Sequence, residues 1–208
     1  MHIRITFLSD WQISTGLGDS YRADAVLVRD ADGFPYVPGR ALKGALREGA
    51  RRLGQCRDDL RQAEYFFWGS RSDAPDANVS GRLRVSAATL PASLKQQVKD
   101  LPEARALLDD LTILHRQTAV TPEGTARTGS LRSTECAIAG LELEAELTVP
   151  PCPQADDAWL RNYFAAVCAA VKSIGGKRSR GLGQCVLSPD AAPEHVTLPP
   201  HNAAFVEV

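Results

Sequence analysis

One segment, Leu-Glu-Leu-Glu-Ala-Glu-Leu-Thr-Val at 141–149, constrains the fold of this chain more than any other part of the sequence. Apolar residues alternate there with three glutamates and a threonine, and a period of two residues is typical of a strand that buries one face. Residues 2–9 show the same pattern, with Ile3, Ile5 and Phe7 on one side. The chain therefore contains strands of a half-buried sheet.

Two amphipathic helices accompany these strands. Apolar side chains return every three or four positions over about residues 40–54 and again over about 155–173, as expected when one helix face is buried. Gly54 and Gly175 suit the ends of these helices, because glycine readily adopts the left-handed conformation that closes many helices. The remaining predicted elements are strands at 24–29, 81–88 and 184–187 and a helix at about 92–109.

The core elements follow the order strand, helix, strand, insertion, strand, helix, strand, which is the split βαβ pattern of ferredoxin-like folds. The insertion, 115–140, is polar and rich in Thr, Gly and Arg, and a segment of this kind is usually a functional loop or disordered. We therefore predict an α+β fold with one domain over 1–208. Its core comprises 1–114 and 141–188, and a tail at 189–208 follows the surface.

Composition argues against several classes of protein. The chain has 208 residues, of which 44% are hydrophobic and 24% charged, and this is ordinary for a globular domain. Because it has no run of 18 apolar residues and its start lacks a signal-peptide pattern, we expect a cytoplasmic protein with no membrane partner. Five cysteines, an odd number without a Cys-x-x-Cys pair, argue against a disulfide framework or a compact zinc site.

The net charge of −1 conceals two basic clusters. One lies at 172–180, which has four cations and no acid. The other is a stripe along the first predicted helix, at offsets 0, +3, +7 and +11: Arg40, Lys43, Arg47 and Arg51. Such a polarised distribution is what a polyanion site requires, so a nucleic acid partner is one interpretation and a solvated helix face is the other.

Two glycine-bearing segments suit phosphate groups. Gly39 lies at the start of the first helix, where a ligand can approach the free helical N–H groups closely. The segment Gly-Gly-Lys-Arg-Ser-Arg-Gly-Leu-Gly at 175–183 combines four glycines with three cations. Loops of this composition contact phosphates through backbone N–H groups and charge, although an ordinary turn with solvent-facing cations is an alternative interpretation.

Asp24 and His115 offer chemistry beyond charge. Asp24 precedes an apolar run and lies near the glycines at 16 and 18, where a carboxylate suits a divalent metal or a ribose hydroxyl. A solvated aspartate is the simpler interpretation of Asp24 alone. His115, next to Arg116 in the insertion, is a candidate RNA contact. No histidine accompanies a Ser or Cys nucleophile motif, and no Walker loop or dinucleotide motif is present.

Together these segments resemble the RAMP superfamily, and in particular the backbone subunit of type III CRISPR–Cas effector complexes of antiviral defence. The resemblance covers about 2–188. It rests on Thr-Gly-Leu-Gly at 15–18 with Asp24, Gly-Phe-Pro-Tyr-Val-Pro-Gly at 33–39 leading to Lys43 and Arg47, Phe-Trp-Gly at 67–69, His115-Arg116 leading to Glu135, and the glycine loop at 175–183. The sequence departs from the family pattern at Arg40-Ala41, Trp68 and Gln117-Thr118.

The resemblance implies a ferredoxin-like, RRM-related core with a long β-hairpin thumb at 115–140 that interrupts a guide–target duplex. It implies a CRISPR guide RNA and a target RNA as ligands. It also implies head-to-tail contacts with copies of the chain or RAMP paralogues, and contacts with other effector subunits. The expected RNA-binding residues are Gly16, Gly18, Gly39, Arg40, Lys43, Arg47, Arg51, His115, Arg116, Gly176, Lys177, Arg178, Arg180 and Gly181.

In nuclease members of the family, an aspartate after the first strand cleaves target RNA with a divalent metal, and Asp24 is the matching position. The resemblance thus implies a metal-dependent endoribonuclease with Asp24 as catalytic residue and metal ligand, the metal being Mg²⁺. One alternative is a non-catalytic scaffold that binds the guide RNA. Another is a RAMP-type endonuclease that matures the guide, but such enzymes usually use His or Tyr acid–base chemistry, and no histidine lies near Asp24 or in the glycine loop.

Overall fold

The computed structural model describes residues 1–14, 16, 23–70, 79–190 and 195–205. In chain order, the strands and helices within these ranges are β1 (His2–Phe7), α1 (Gly39–Gly54), α2 (Asp58–Trp68), β2 (Arg84–Val85), α3 (Ala92–Lys99), α4 (Ala104–Asp110), β3 (Thr112–Gln117), β4 (Arg132–Ala137), β5 (Glu142–Thr148), α5 (Asp157–Ala170) and β6 (Cys185–Pro189). Two 3₁₀ turns lie at Arg178–Arg180 and Ala203–Phe205. The predicted mixture of helices and strands is confirmed.

A four-stranded sheet in the order β2-β5-β1-β6 lies at the centre, and every adjacent pair of strands is antiparallel. Ile3 lies opposite Ala145, and Ile5 lies opposite Leu143. This register places the apolar residues of both strands on one face. A shift by one residue would turn all of them to solvent, so burial of that face fixes the register. The three glutamates of β5 are exposed, as the alternation predicts.

Helices α1 and α5 supply the apolar surface that packs with the sheet. Leu42, Leu46 and Ala50 of α1 are fully buried. Gly49 brings α1 close to α5, because a Cβ there would lie only 2.7 Å from the carbonyl oxygen of Val167. Glycine inside a helix costs about 1 kcal/mol relative to alanine, and the close contact explains why it occurs here.

Several segments differ from the sequence-based expectations. The strand expected over 81–88 is reduced to Arg84–Val85. Residues 24–29 form isolated bridges instead of a strand. The helix expected over 92–109 is divided into α3 and α4, with Pro102 between them, because proline disfavours helical geometry in the residue before it. Helix α2 was not anticipated at all, and its Phe67 and Trp68 are buried in the core.

Strands β3 and β4 form a separate two-stranded antiparallel sheet, from the pair Thr112–Ala137 to the pair Gln117–Arg132. We call residues 112–137 the arm and residues 118–131 its tip. Most of the tip is exposed, whereas Thr134 to Ala137 at the base are buried. The arm thus has a base that belongs to the core and a tip that does not.

The tail, which the sequence analysis placed along the surface, enters the core at one point. Phe205 is 2% exposed, and its ring lies 5.0 Å from that of Trp159. Arg57 donates a hydrogen bond to the carbonyl oxygen of Pro199 at 2.8 Å, and the Asn202 N–H donates to Asp59 at 2.9 Å. The described end of the chain is therefore anchored against α2 and α5.

The described helices include none with the length and apolar content needed to span a bilayer.

Candidate nucleic-acid interface

An open cleft of about 450 Å³ lies where the Asp24 loop, the arm and the glycine loop meet. Its lining residues are Asp24, Ala25, Gln117, Thr118, Ala119, Ser130, Arg132, Ser133, Thr134, Lys177 and Arg180. A larger cleft of about 600 Å³ lies between the end of α1 and α2, and Arg51 is the only predicted RNA contact among its described lining residues. The smaller cleft is the candidate site, because it brings together three of the segments singled out in the sequence.

Asp24 is held at this cleft by strand β4. One carboxylate oxygen, Oδ2, accepts hydrogen bonds from the Ser133 N–H at 2.7 Å and from the Ser133 hydroxyl at 3.1 Å. The backbone beside it forms a parallel bridge, in which the Glu135 N–H donates to the Ala25 carbonyl at 2.9 Å. The Ser133 N–H, and then its hydroxyl, hold the pKa of Asp24 below its ordinary value. Asp24 is therefore an exposed, ionised carboxylate with a defined orientation.

A buried ion pair supports the loop that carries Asp24. Arg29 lies 2.9 Å from one oxygen of Glu135, and the other oxygen accepts the Leu27 N–H at 3.1 Å. Arg29 also donates to the carbonyl oxygen of Gly33 at 3.0 Å. The side chain of Glu135 is 2% exposed, so these contacts are protected from water. They fix the Asp24 loop against the base of the arm.

The glycine loop is packed tightly against the segment after β1. Gly175, expected to end α5, lies beyond the helix cap at Val171; it has φ +104°, and a Cβ there would lie 2.4 Å from the Gln12 carbonyl oxygen. The Gly176 N–H donates to that same oxygen at 2.8 Å, and the Gly183 N–H donates to the Asp10 carbonyl at 2.8 Å. Because these N–H groups already bond to protein, phosphate contacts from this loop depend mainly on its side chains.

The loop cations do not all face the same way. Lys177 donates from Nζ to the Thr134 hydroxyl, and Arg180 donates to Oε1 of Gln117 at 2.9 Å, so both lie at the cleft. Arg178 instead donates to Glu48 of α1 at 2.9 Å.

Gly181 ends the short 3₁₀ turn at φ +84°, with open space around it.

The middle of the basic stripe on α1 is used within the protein. Nζ of Lys43 donates to the Leu83 carbonyl oxygen at 2.7 Å, and Arg47 donates to the Gly69 carbonyl oxygen at 3.0 Å. Burial, and then the neighbouring charge of Arg47, lower the pKa of Lys43. Lys43 thus connects α1 to the residue before β2, and Arg47 connects it to the end of α2, so neither projects freely into solvent.

The two ends of the stripe behave differently from its middle. Arg40 and Arg51 are exposed. Gly39 was expected to let a ligand approach closely, but the protein backbone fills the space beside it. A Cβ at this position would lie 2.4 Å from the Val85 carbonyl oxygen. The structure thus leaves Arg40 and Arg51 as the cations of the stripe that are accessible to a polyanion.

The remaining predicted contacts are not among the described residues that line the cleft. Gly16 is exposed, and Gly18 lies outside the described residues. His115 lies 2.8 Å from the carboxylate of Asp10, and it therefore joins the arm base to the segment after β1. Arg116, the next residue of β3, is exposed.

Sequence reasoning missed Ser133, Thr134 and Gln117 as site residues. Ser133 bonds to Asp24, which lies 109 residues earlier, and nothing local marks either partner.

Cys136, also on β4, is not a candidate nucleophile, because burial raises the pKa of its thiol to about 11. All five cysteines are free, and four of them are buried.

The donor set limits the kind of metal site that is possible. No group of three His, Cys, Asp or Glu side chains among the described residues is placed to hold an ion. Mg²⁺, however, is often bound by one or two carboxylates, with water and substrate phosphate as its other ligands. Asp24 therefore fits a Mg²⁺ ion that takes most of its ligands from RNA and water, and does not fit a site built from protein alone.

The fold combines helices with antiparallel strands, and the cleft lies between the glycine loop and the arm. The RAMP superfamily model matches residues 4–186, and the chain belongs to that superfamily. None of the curated proteins compared matches the chain.

Two of the solved structures that share the fold are described as type III-B Cmr-beta, studied by cryo-EM. The apo state gives a TM-score of 0.67 at 14% identity, over 90% of this chain and 95% of the other. The state bound to cognate target RNA gives 0.65 at 12% identity, over 89% and 95%.

Proposed function

We propose that the chain is an RNA-binding backbone subunit of a type III CRISPR effector complex, which cleaves complementary target RNA with Mg²⁺ held at Asp24. The observation that carries this proposal is the cleft, where an oriented, ionised carboxylate lies with Lys177 and Arg180. A carboxylate with cations beside it suits an RNA phosphate and its metal ion. Membership of the RAMP superfamily and the likeness to a structure bound to target RNA support this function.

The architecture supports the same proposal. With the arm set aside, β1, β2, β5 and β6 in the order β2-β5-β1-β6 make the sheet of a ferredoxin-like core, and α1 and α5 are the two crossover helices. We infer that the arm is the thumb of the family, because its tip is exposed while its base forms one wall of the cleft. The partners are then a guide RNA, a target RNA, head-to-tail copies or paralogues, and other effector subunits in the cytoplasm.

Each residue at the cleft has a distinct part in the proposed reaction. Mg²⁺, when bound, supplies Lewis-acid chemistry at the scissile phosphate. Oδ1 of Asp24 accepts no hydrogen bond from the described residues, so it is available as a ligand while Ser133 holds Oδ2. Ser133 thereby orients the carboxylate, and the Arg29–Glu135 pair fixes the loop behind it.

The test replaces Asp24 by Asn in a complex purified from the host through a tag on this chain. We expect cleavage of complementary RNA in Mg²⁺ to fall at least about 100-fold, because metal stabilisation of a transition state is worth several kcal/mol. Guide retention and target affinity should stay nearly unchanged, since phosphate contacts supply most of the affinity. Asp32→Asn is the matched control, because Asp32 is half-exposed and pairs with Lys99.

Two further results decide between the alternatives. Sequencing of the RNA that co-purifies should give guides with a repeat-derived 5′ tag, and random cellular RNA would contradict the guide-binding role. If Asp24→Asn cleaves target at the wild-type rate, Asp24 is structural and the chain is a scaffold.

A further inference from the structure

The glycine loop contains three cations with different electrostatic surroundings. Arg178 lies 2.9 Å from Glu48, which also pairs with Arg52 at 2.6 Å. The charge of Arg178 is therefore balanced by a carboxylate on α1. Its contact connects the loop to the helix and points away from a role at the cleft.

Lys177 and Arg180 are oriented by neutral oxygens instead. The partner of Lys177 is the Thr134 hydroxyl, and the partner of Arg180 is the Gln117 amide oxygen. Among the described residues, neither cation has a carboxylate within ion-pair distance. Neutral partners fix the direction of a side chain without cancelling its charge, so both cations present a full positive charge to the cleft.

The backbone of Lys177 shows that this orientation has a free-energy cost. Its φ is +53°, and it is the one residue other than glycine with positive φ in the described part of the chain. Such conformations are unfavourable for residues with a Cβ and concentrate at functional sites. Gly176 and Gly181, on either side, would adopt this conformation without cost, but they carry no charge.

Strand β4 bonds to both the anion and one of the cations. Ser133 holds Asp24, and the next residue, Thr134, holds Lys177. Asp24, Lys177 and Arg180 line one cleft. A phosphodiester group entering the cleft would meet the Asp24 carboxylate, which would hold the metal ion, and the cations Lys177 and Arg180. Arg132 lines the same cleft.

From this arrangement we infer that Lys177 and Arg180 bind the scissile phosphate of the target RNA and stabilise the charge that develops during cleavage, whereas Arg178 is structural. The inference rests on the proposed function and adds to it the residues that contact the cleaved group. In the reaction, the neighbouring 2′-hydroxyl or a water loses a proton to solvent and forms a new P–O bond. The P–O5′ bond breaks, and the departing oxygen takes a proton from solvent. Preorganised donors at the non-bridging oxygens stabilise such a charge strongly.

The experiment compares Lys177→Ala and Arg180→Ala with Arg178→Ala, each in the tagged complex with its guide. Single-turnover cleavage is measured at saturating target in Mg²⁺, and target affinity is measured separately in EDTA. We expect the first two variants to cleave about 100-fold more slowly, as when one transition-state donor is removed. Their guide content should match that of the wild type, and Arg178→Ala should cleave at nearly the wild-type rate.

A chemical-rescue measurement separates direct contact from a structural role. Millimolar methylguanidinium should restore part of the cleavage by Arg180→Ala, because the small cation can occupy the vacated position, and it should not affect Arg178→Ala.

Several results would overturn the inference. If Lys177→Ala and Arg180→Ala lose guide or target affinity but cleave normally at saturation, the two cations are only binding contacts. If Arg178→Ala slowed cleavage as much as the other two variants, the assignment of Arg178 to structure and of Lys177 and Arg180 to the phosphate would be wrong. A wild-type complex that does not cleave refutes the proposed function and this inference together, whereas an active wild type with fully active variants refutes the inference alone.

Discussion

Ser133 shows how one side chain that no motif marks can position a candidate catalytic group. It donates twice to the same oxygen of Asp24, once from its backbone and once from its hydroxyl. The backbone bond is available to any residue except proline at this position, whereas the hydroxyl bond requires Ser or Thr. The residue type at 133 therefore affects the orientation of Asp24 without being its main support.

We predict that Ser133→Ala lowers the cleavage rate of the complex by about tenfold, less than Asp24→Asn does, because one of two hydrogen bonds to the carboxylate remains. Ser133→Thr retains the hydroxyl and should cleave at nearly the wild-type rate. Single-turnover rates across a Mg²⁺ series measure both variants. A Ser133→Ala complex that matches the wild type at every Mg²⁺ concentration would show that the hydroxyl does not position Asp24.

At the scale of elements, helix α1 shows that cations of a basic stripe can bond within the protein. The spacing of its four cations predicts that they share one face of a helix, and the structure is helical over all four positions. The long side chains of Lys43 and Arg47 nevertheless turn onto the carbonyl oxygens of Leu83 and Gly69. Those carbonyls belong to segments that pack beside the helix only in the folded chain.

We predict that Lys43→Ala with Arg47→Ala lowers the free energy of unfolding by about 2 kcal/mol, since each variant leaves a carbonyl oxygen without its donor. Urea unfolding of the purified chain measures this change. Arg40→Ala with Arg51→Ala, both exposed, is the control and should unfold at nearly the wild-type urea concentration. A double variant that keeps its stability but shows a weaker salt dependence of RNA binding would instead support the phosphate contacts expected from the sequence.

The arm requires a distinction between its two parts. Its tip is mostly exposed and contains Val120 and Leu131 at 65% and 61% exposure, whereas Thr134 to Ala137 lie in the core. The tip contributes little buried apolar area, and hydrophobic stabilisation scales with that area.

We predict that replacing residues 119–131 with a short Gly-Ser turn changes the melting temperature by less than about 2 °C, because few buried contacts are lost. In the complex, the same change should shift or reduce target cleavage if the tip contacts the guide–target duplex. Thermal melting and mapping of the RNA products measure the two effects. Failure of the trimmed chain to fold would assign the tip to the core, and cleavage at unchanged positions would place the thumb elsewhere.

At the scale of the whole molecule, the described end of the chain closes the core. Phe205 packs against Phe66 and Trp159, and polar contacts from Arg57 hold the segment that precedes it. Most of the described tail is exposed, and Phe205 is the side chain through which it packs into the core.

We predict that Phe205→Ala lowers the free energy of unfolding by about 3 kcal/mol, as for other buried phenylalanines, and the melting temperature by roughly 6–12 °C. Leu198→Ala is the matched control, because Leu198 lies in the same tail and is 46% exposed. Calorimetry of the purified chain compares the two. Equal melting temperatures for the two variants would contradict an anchoring role for Phe205.

The sequence by itself determined the strands at 2–9 and 141–149 and the helices at 40–54 and 155–173, apart from their ends. Apolar residues at periods of two and 3.6 mark the side chains that are buried on one face of a strand or helix. This pattern can be read from a short stretch of sequence. Helix α2 was missed in the sequence, although its buried residues Leu60, Ala63 and Phe67 repeat at offsets 0, +3 and +7 along one face. The family motifs singled out Asp24 and the glycine loop separately, and only the structure places Asp24, Lys177 and Arg180 at one cleft.

Only the tertiary structure decided what each charged residue does. Lys43 and Lys177 look equivalent in sequence, since each is a cation near glycine in a basic cluster. One donates to a carbonyl oxygen beside β2, and the other donates to Thr134 at the cleft. The reason is physical. The charge of a side chain is a property of the residue itself, whereas its hydrogen-bond partner depends on which segment of the chain packs against it. Here that segment lies roughly 40 residues away in the chain, so the local sequence pattern does not predict it.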